Sequence, residues 1–217
     1  MAASEDSDAQ RDDVLGRALG GRLALAEGAH RREYGGDFAV IHGPAERWHL
    51  PPDVVDSVLA EPAGWLEAER LSLGSAVSRA AALRKPALAR DLAMTSATLF
   101  EPRGHLDDWQ RTHACVLEAC RQGEDVLGRA AMTYSLGSLE LFRQRYEAAA
   151  RLLEEALEMF AEVGSKHGHA LALRNLALVD RLAGRFDLAL QRYRWWVDYT
   201  CLPLGDGSAQ LFVKYHW

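Results

Sequence analysis

One fixed interval recurs along the second half of this chain, at several positions at once. Leu106, Tyr146 and Phe186 occupy i, i+40 and i+80, and so do Asp107, Glu147 and Asp187. Leu99, Leu139 and Val179 keep the same step, as do Gly104, Gln144 and Gly184. A gapless period of this length marks an array of supersecondary units, none of which can bury its apolar face without a neighbour. Such an array offers an extended surface rather than a private reactive pocket.

Hydrophobic spacing fills each unit with two helices. Pro86, suited to a first helical turn, opens a helix to about Glu101 that Pro102 and Gly104 should stop. A second starts at Asp107 and Asp108, acids that suit the positive end of a helix dipole, and runs to about Arg121. The cycle repeats with helices near 126–143 and 147–162, the loop GSKHG, then helices near 169–183 and 187–199. Ahead of the array, residues 1–12 are acidic and polar and should carry no stable structure. Residues 13–84 read as a helical segment: a helix from Asp13 to about Arg32, a Gly/Pro-rich connector with one short extended run at Phe38 to Ile41, the helical DVVDSVLA, and a stripe from Pro62 to Arg84 through Trp65, Leu66, Leu73 and Val77. The expected fold is all-α, an α-solenoid of about three helical hairpins over residues 85–203 with an N-terminal helical cap. Residues 204–217 form an irregular tail.

Composition narrows the function. The chain has 217 residues, 48% hydrophobic and 26% charged, with a formal charge of −6. That balance, without any basic block, argues against a nucleic-acid or anionic-membrane surface. Three lysines (Lys85, Lys166, Lys214) among 25 basic residues leave 22 arginines, a skew typical of a GC-rich coding genome. Three cysteines, Cys115, Cys120 and Cys201, give no even disulfide framework, which points to a reducing cytoplasm. The acidic start is no signal or transit peptide.

Within a unit, small residues at the helix crossing permit close approach: Gly137 is expected to face Ala149, and Ala177 to face Ala189. Leu136 and Leu176 precede them, and Ala156 lets the next unit stack. These slots, with Arg145-Tyr146 and Gly184-Arg185-Phe186 at the turns, resemble the tetratricopeptide repeat over residues 129–199. The 85–122 unit departs from it, with Ser96 where leucine belongs and Trp109 where the small residue belongs, and Trp196 replaces a stacking alanine. A longer run, from EGAHRREYGGDF through ERWHLPP and WLEAERLSLGSAV to the repeats, resembles the C-terminal portion of SARP/AfsR-type transcriptional regulators. Those carry a DNA-binding domain and a nucleotide-binding switch ahead of the array. No G-x-x-x-x-G-K-[ST] phosphate cradle occurs in this chain, nor a basic recognition helix. The likeness therefore implies the sensor or scaffold end.

No catalytic arrangement or cofactor site emerges. Cys115 and Cys120, five apart on a helix, point about 140° apart and are poorly placed to share a metal ion. His113 beside Cys115 lacks any nucleophile motif, so the chain reads as no enzyme. Buried or half-exposed structural thiols are the expected fate of both cysteines. The tetratricopeptide resemblance instead implies a concave groove lined by the first helix of each unit. Its slots fall on Met94 and Thr98, then Tyr134, Ser138 and Leu141, then Arg174, Asn175, Leu178 and Arg181. Arg174 and Arg181, seven apart, share a face. They either clamp a carboxylate of a protein or peptide partner or pair locally with Asp180 or Asp187 as solvated charge. Trp195, Trp196 and Tyr199 would support self-association if exposed.

Overall fold

The computed structural model describes residues 8–36 and 40–200; apart from the turns and residues 40–51 these are helical, with no strand among them. Four helices precede the array: α1 (Asp8–Tyr34), α2 (Pro52–Val58), α3 (Pro62–Ala68) and α4 (Arg70–Ala82). Six follow: α5 (Pro86–Arg103), α6 (Leu106–Gln122), α7 (Val126–Phe142), α8 (Tyr146–Glu162), α9 (Lys166–Leu182) and α10 (Phe186–Thr200). Leu106, Tyr146 and Phe186 each open the second helix of a hairpin.

The backbone repeats at half the step of the side chains. From the end of α4 onward, residues in left-handed conformation fall at even intervals, at Arg84, Gly104, Glu124, Gln144, Gly164 and Gly184. After each, the next amide reaches back to a carbonyl five residues earlier: Lys85 to Ala80, His105 to Phe100, Asp125 to Cys120, Arg145 to Glu140, Ser165 to Phe160 and Arg185 to Asp180, all at 2.8–3.1 Å. This is the Schellman closure of a helix end. One turn chemistry thus joins helices within a hairpin and between hairpins alike. Asp125 and Ser165 also cap the next helix, accepting the amides of Gly128 and Gly168.

Packing sorts the helices into two layers. The buried positions of α8 are Ala149, Leu153, Ala156, Met159 and Phe160, a single stripe at helical spacing. By contrast, α7 is buried along nearly its whole length from Ala130 to Leu139, because α6, α8, α5 and α9 all pack against it. Burying Phe160 alone contributes about 1.5–3 kcal/mol. Gly137 meets Leu152 and Leu153 on α8, one turn beyond the expected Ala149. In the first hairpin Trp109 is buried and donates its indole N–H to Ser135 at 2.8 Å. The bulky ring thus finds a place in the α6–α7 contact, where α5 and α6 approach less closely than α7 and α8.

The N-terminal segment completes the stack. α1 packs on α5 much as α5 packs on α7, and α3 and α4 lie behind it. Three expectations change here. α1 begins at Asp8, inside the acidic stretch expected to lack structure; residues 1–7 lie outside the described residues. Pro102 does not stop α5, which continues to Arg103, since Gly104 provides the turn. The stripe from Pro62 is two helices parted at Glu69, whose carboxylate is turned to Arg22 on α1. The extended run at Phe38 to Ile41 falls partly on residues 37–39, outside the described set, and Val40 and Ile41 show no strand. The tail from 204 also lies outside. Among the described residues, no helix is long and apolar enough to cross a membrane.

Candidate docking groove

Three first helices, α5, α7 and α9, stand side by side, backed by α6, α8 and α10. Their shared layer carries the residues singled out from the sequence. Four of these meet in one network. The Asn175 side-chain amide donates to Ser138 Oγ at 2.8 Å and to the Tyr134 hydroxyl at 3.4 Å. Its carbonyl oxygen accepts both Nε and Nη2 of Arg174 at 3.1 Å. That orientation is forced, because a guanidinium donates only and the carbonyl must face it. Ser138 in turn donates to the Tyr134 carbonyl at 3.0 Å, one turn back.

Tyr134 and Asn175 are 5% and 6% exposed, so they build the wall of the groove rather than its surface. The Tyr134 ring stands edge-on to Phe160 of α8. Burial pushes its phenol above the ordinary range, with Arg174 pulling it down and Glu101 pushing it up. Ser138, Leu141, Arg174 and Leu178 are half-buried and Arg181 is exposed. Arg181 and Arg174 both act on the Tyr193 phenol, whose value burial raises and they lower. At the α5 end Met94 is only 3% exposed and Thr98 half-buried, and Met94 shares a core cluster with Val40 and Ile41 of the connector.

Of the two local acids, Asp180 is engaged elsewhere. Asp180 is bound by Arg185 at 2.8 Å and by Arg192 at 2.8 Å, so local pairing of Arg181 with Asp180 is overturned. The Arg185–Asp180 pair repeats Arg145–Glu140 one hairpin earlier. The arginine of the Arg–aromatic turn therefore ties its turn to the helix before it. Sequence reasoning passed over this although Glu140 and Asp180 keep the same step as the turn residues.

The other candidates separate. His113 is fully buried and Cys115 is exposed, so the two form no pair. Cys115 thus departs from its expected buried or half-exposed place. Burial lowers His113 to about 4, opposed by its bond to the Trp109 carbonyl. Burial and then Asp125 push the Cys120 thiol up to about 12, far from a nucleophile's range. Among the described residues, no three His, Cys, Asp or Glu side chains converge on a metal-sized site. Trp196 is 5% exposed, packed with Ala170 and Leu173 of α9, which removes it from any self-association surface. Trp195 is half-exposed, and the Tyr199 side chain lies outside the described set. A wide concavity, about 500 Å³, is lined by Gln110, Leu136, Glu140, Arg151 and Leu152 on α6, α7 and α8 and contains none of the groove residues. The candidate groove rests instead on the polar network.

Comparison with known proteins fits this geometry. The tetratricopeptide-repeat family model matches residues 128–197. Residues 128–197 are a tetratricopeptide-repeat region. No curated protein and no solved structure matches the chain. The tetratricopeptide match spans α7 to α10, the two hairpins whose slots follow the pattern. The usual tetratricopeptide unit has about 34 residues, whereas the step from Leu106 to Tyr146 to Phe186 is wider because each helix is longer. The α5–α6 hairpin keeps the backbone step of its tetratricopeptide neighbours while its side chains have drifted.

Proposed function

We propose that this chain is a non-catalytic docking module that holds an acidic segment of a protein or peptide partner along α7 and α9. The observation that carries the reading is the Tyr134–Ser138–Asn175–Arg174 network. It fixes one guanidinium on the inner layer, two helical turns from the exposed Arg181 on the same helix face. Two guanidiniums on one wall suit bidentate capture of carboxylates, and Leu141 and Leu178 supply the apolar floor. Partner binding would bias a neighbouring element between two states only through unequal affinity for them. That is the role expected of the sensor end of a SARP/AfsR-type transcriptional regulator, working in the cytoplasm.

The decisive comparison is affinity capture with wild type against an Arg174→Glu/Arg181→Glu variant. A partner retained by the first and lost by the second supports the reading; equal capture of the same partner by both removes these arginines from the site. A second reading, a stand-alone adaptor or dimerisation protein unrelated to transcription, is favoured by one observation. Phe186, Leu190 and Trp195 of α10 are 67%, 52% and 50% exposed. Sedimentation of wild type and a Phe186→Glu/Leu190→Glu variant tests its dimerisation form, which alone requires a dimer that the variant loses.

A further inference from the structure

Residues 40–47, between α1 and α2, are a tightly held strip of backbone, not a slack link. Val40 and Ile41 are 1% and 3% exposed and lie in the core cluster with Leu19, Leu23 and Met94. Gly43 sits so close to Arg90 that a Cβ would come within 1.6 Å of its guanidinium nitrogen. The Ala45 amide bonds to the Asp91 carboxylate. Arg47 then closes the strip as a hook. It donates back to the carbonyls of Gly43, at 2.8 Å, and Ala45, and its Nη2 stands 2.7 Å from Glu27 of α1 and 2.9 Å from Asp91 of α5.

The position of Asp91 gives these contacts their meaning. It lies one turn ahead of Met94 and so shares its face of α5, the face that continues the groove strip of α7 and α9. Arg90 beside it reaches Asp125, the cap of α7, at 3.1 Å. With Arg47 in place, Glu27, Asp91 and Asp125 face two guanidiniums. Without it, Glu27 would keep His42, at 3.1 Å, and Asp91 would share Arg90 with Asp125. Buried carboxylates that lose a guanidinium in this way are costly.

We propose that residues 40–47 are an internal occupant of the α5 end of the groove, an autoinhibitory strap displaced by an extended partner segment that delivers its own arginine to Asp91 and Glu27. This rests on the docking reading above and deepens it. The vacated end is acidic and the α9 end basic, so the partner segment lies with an arginine over α5 and an acidic group over Arg174 and Arg181. While the strap is seated, the partner's apparent affinity falls by the fraction of molecules in which that end is open.

The probe is a fluorescein-labelled peptide of residues 37–50 added to the full chain. It should bind an Arg47→Ala variant at least ~10-fold more tightly than wild type, and Asp91→Asn in that background should abolish the gain. Equal binding to both proteins overturns the strap. Hydrogen exchange on unmodified protein provides a test free of any folding defect in the variant. Amides 42–48 should exchange by local opening, faster than the most protected amides of α7. Exchange of both sets at one common rate would make the strip a permanent part of the core and overturn the proposal. An acidic peptide that binds through Arg174 and Arg181 while amides 42–48 exchange at that common rate sinks the strap alone. Strap-peptide binding without acidic-peptide binding sinks the α9 assignment alone.

Discussion

The Asn175 amide reaches across the inner layer to the Ser138 hydroxyl at 2.8 Å, and this bond joins α9 of one hairpin to α7 of the one before. Asn175 holds Arg174 with its other end. One buried side chain therefore serves stacking and the aim of a candidate ligand-binding group together. Replacing it should damage both, in separable ways.

Asn175→Ala should cost about 1–2 kcal/mol by leaving buried partners unsatisfied, which lowers the melting temperature by about 2–4 °C per kcal/mol for a chain of this size. Thermal unfolding followed by circular dichroism checks it. A melting temperature equal to that of wild type would mean that the network adds nothing to stacking.

Gln144 stands in the left-handed region at φ 62°, where Gly104 and Gly184 stand one hairpin away. Its Cβ carries a steric cost that glycine lacks, partly offset by the greater freedom of glycine in the unfolded chain. Gln144→Gly should therefore stabilise by about 0.5–1 kcal/mol, read as a raised urea midpoint with unchanged slope. Glu124→Gly should behave alike. A fall in midpoint for both would contradict the shared turn geometry.

A Cβ on Gly168 would sit 2.4 Å from the Phe160 ring. Gly168→Ala must shift that buried ring and should cost about 1–3 kcal/mol through overpacking. Gly64→Ala, whose Cβ would meet only Glu61 at 3.8 Å, serves as a control that should not destabilise. Equal melting temperatures for both variants and wild type would show that Phe160 yields freely.

His113 gives a pH dependence of definite sign. It titrates near 4 when folded, through burial, against an ordinary 6.5. The folded state holds it neutral, so its contribution is complete above pH 6.5 and is lost as pH falls from 6.5 to 4. The full loss is about 3 kcal/mol. Leu153 fills the equivalent place one hairpin later, also fully buried. His113→Leu should therefore flatten the urea midpoint between about pH 6.5 and 4.5 and overtake wild type near pH 5. Glu27, held near 2 by His42 and Arg47 against the pull of burial, loses its contribution lower, between 4.5 and 2. It acts equally in both proteins, so parallel curves would point to a hydrated His113.

Legibility followed the period. The helix starts at Leu106, Tyr146 and Phe186 could be read because repeated side chains mark a repeated backbone. The intervening turns at Arg84, Glu124 and Gly164 keep the same geometry with unrelated side chains, so the half-step of the backbone was invisible. Trp109 looked like a defect because its partner Ser135 lies on the next hairpin. The Arg47–Asp91–Glu27 hook was hidden for a related reason. Its members come from α1, the connector and α5, far apart in the chain, and nothing repeats to align them. The candidate groove positions follow from the repeat slots, but that Tyr134 and Asn175 are buried and Arg181 is exposed depends on packing alone.

The most direct test of the docking groove is amide and side-chain NMR of the full chain titrated with an Asp/Glu-rich peptide ending in a free carboxylate. Saturable shifts should appear at Ser138, Leu141, Arg174, Leu178 and Arg181, leave α6 and α8 unmoved, and vanish in Arg174→Glu/Arg181→Glu. Shifts confined to the outer helices, or persisting unchanged in the charge-reversed protein, would contradict a groove on α7 and α9.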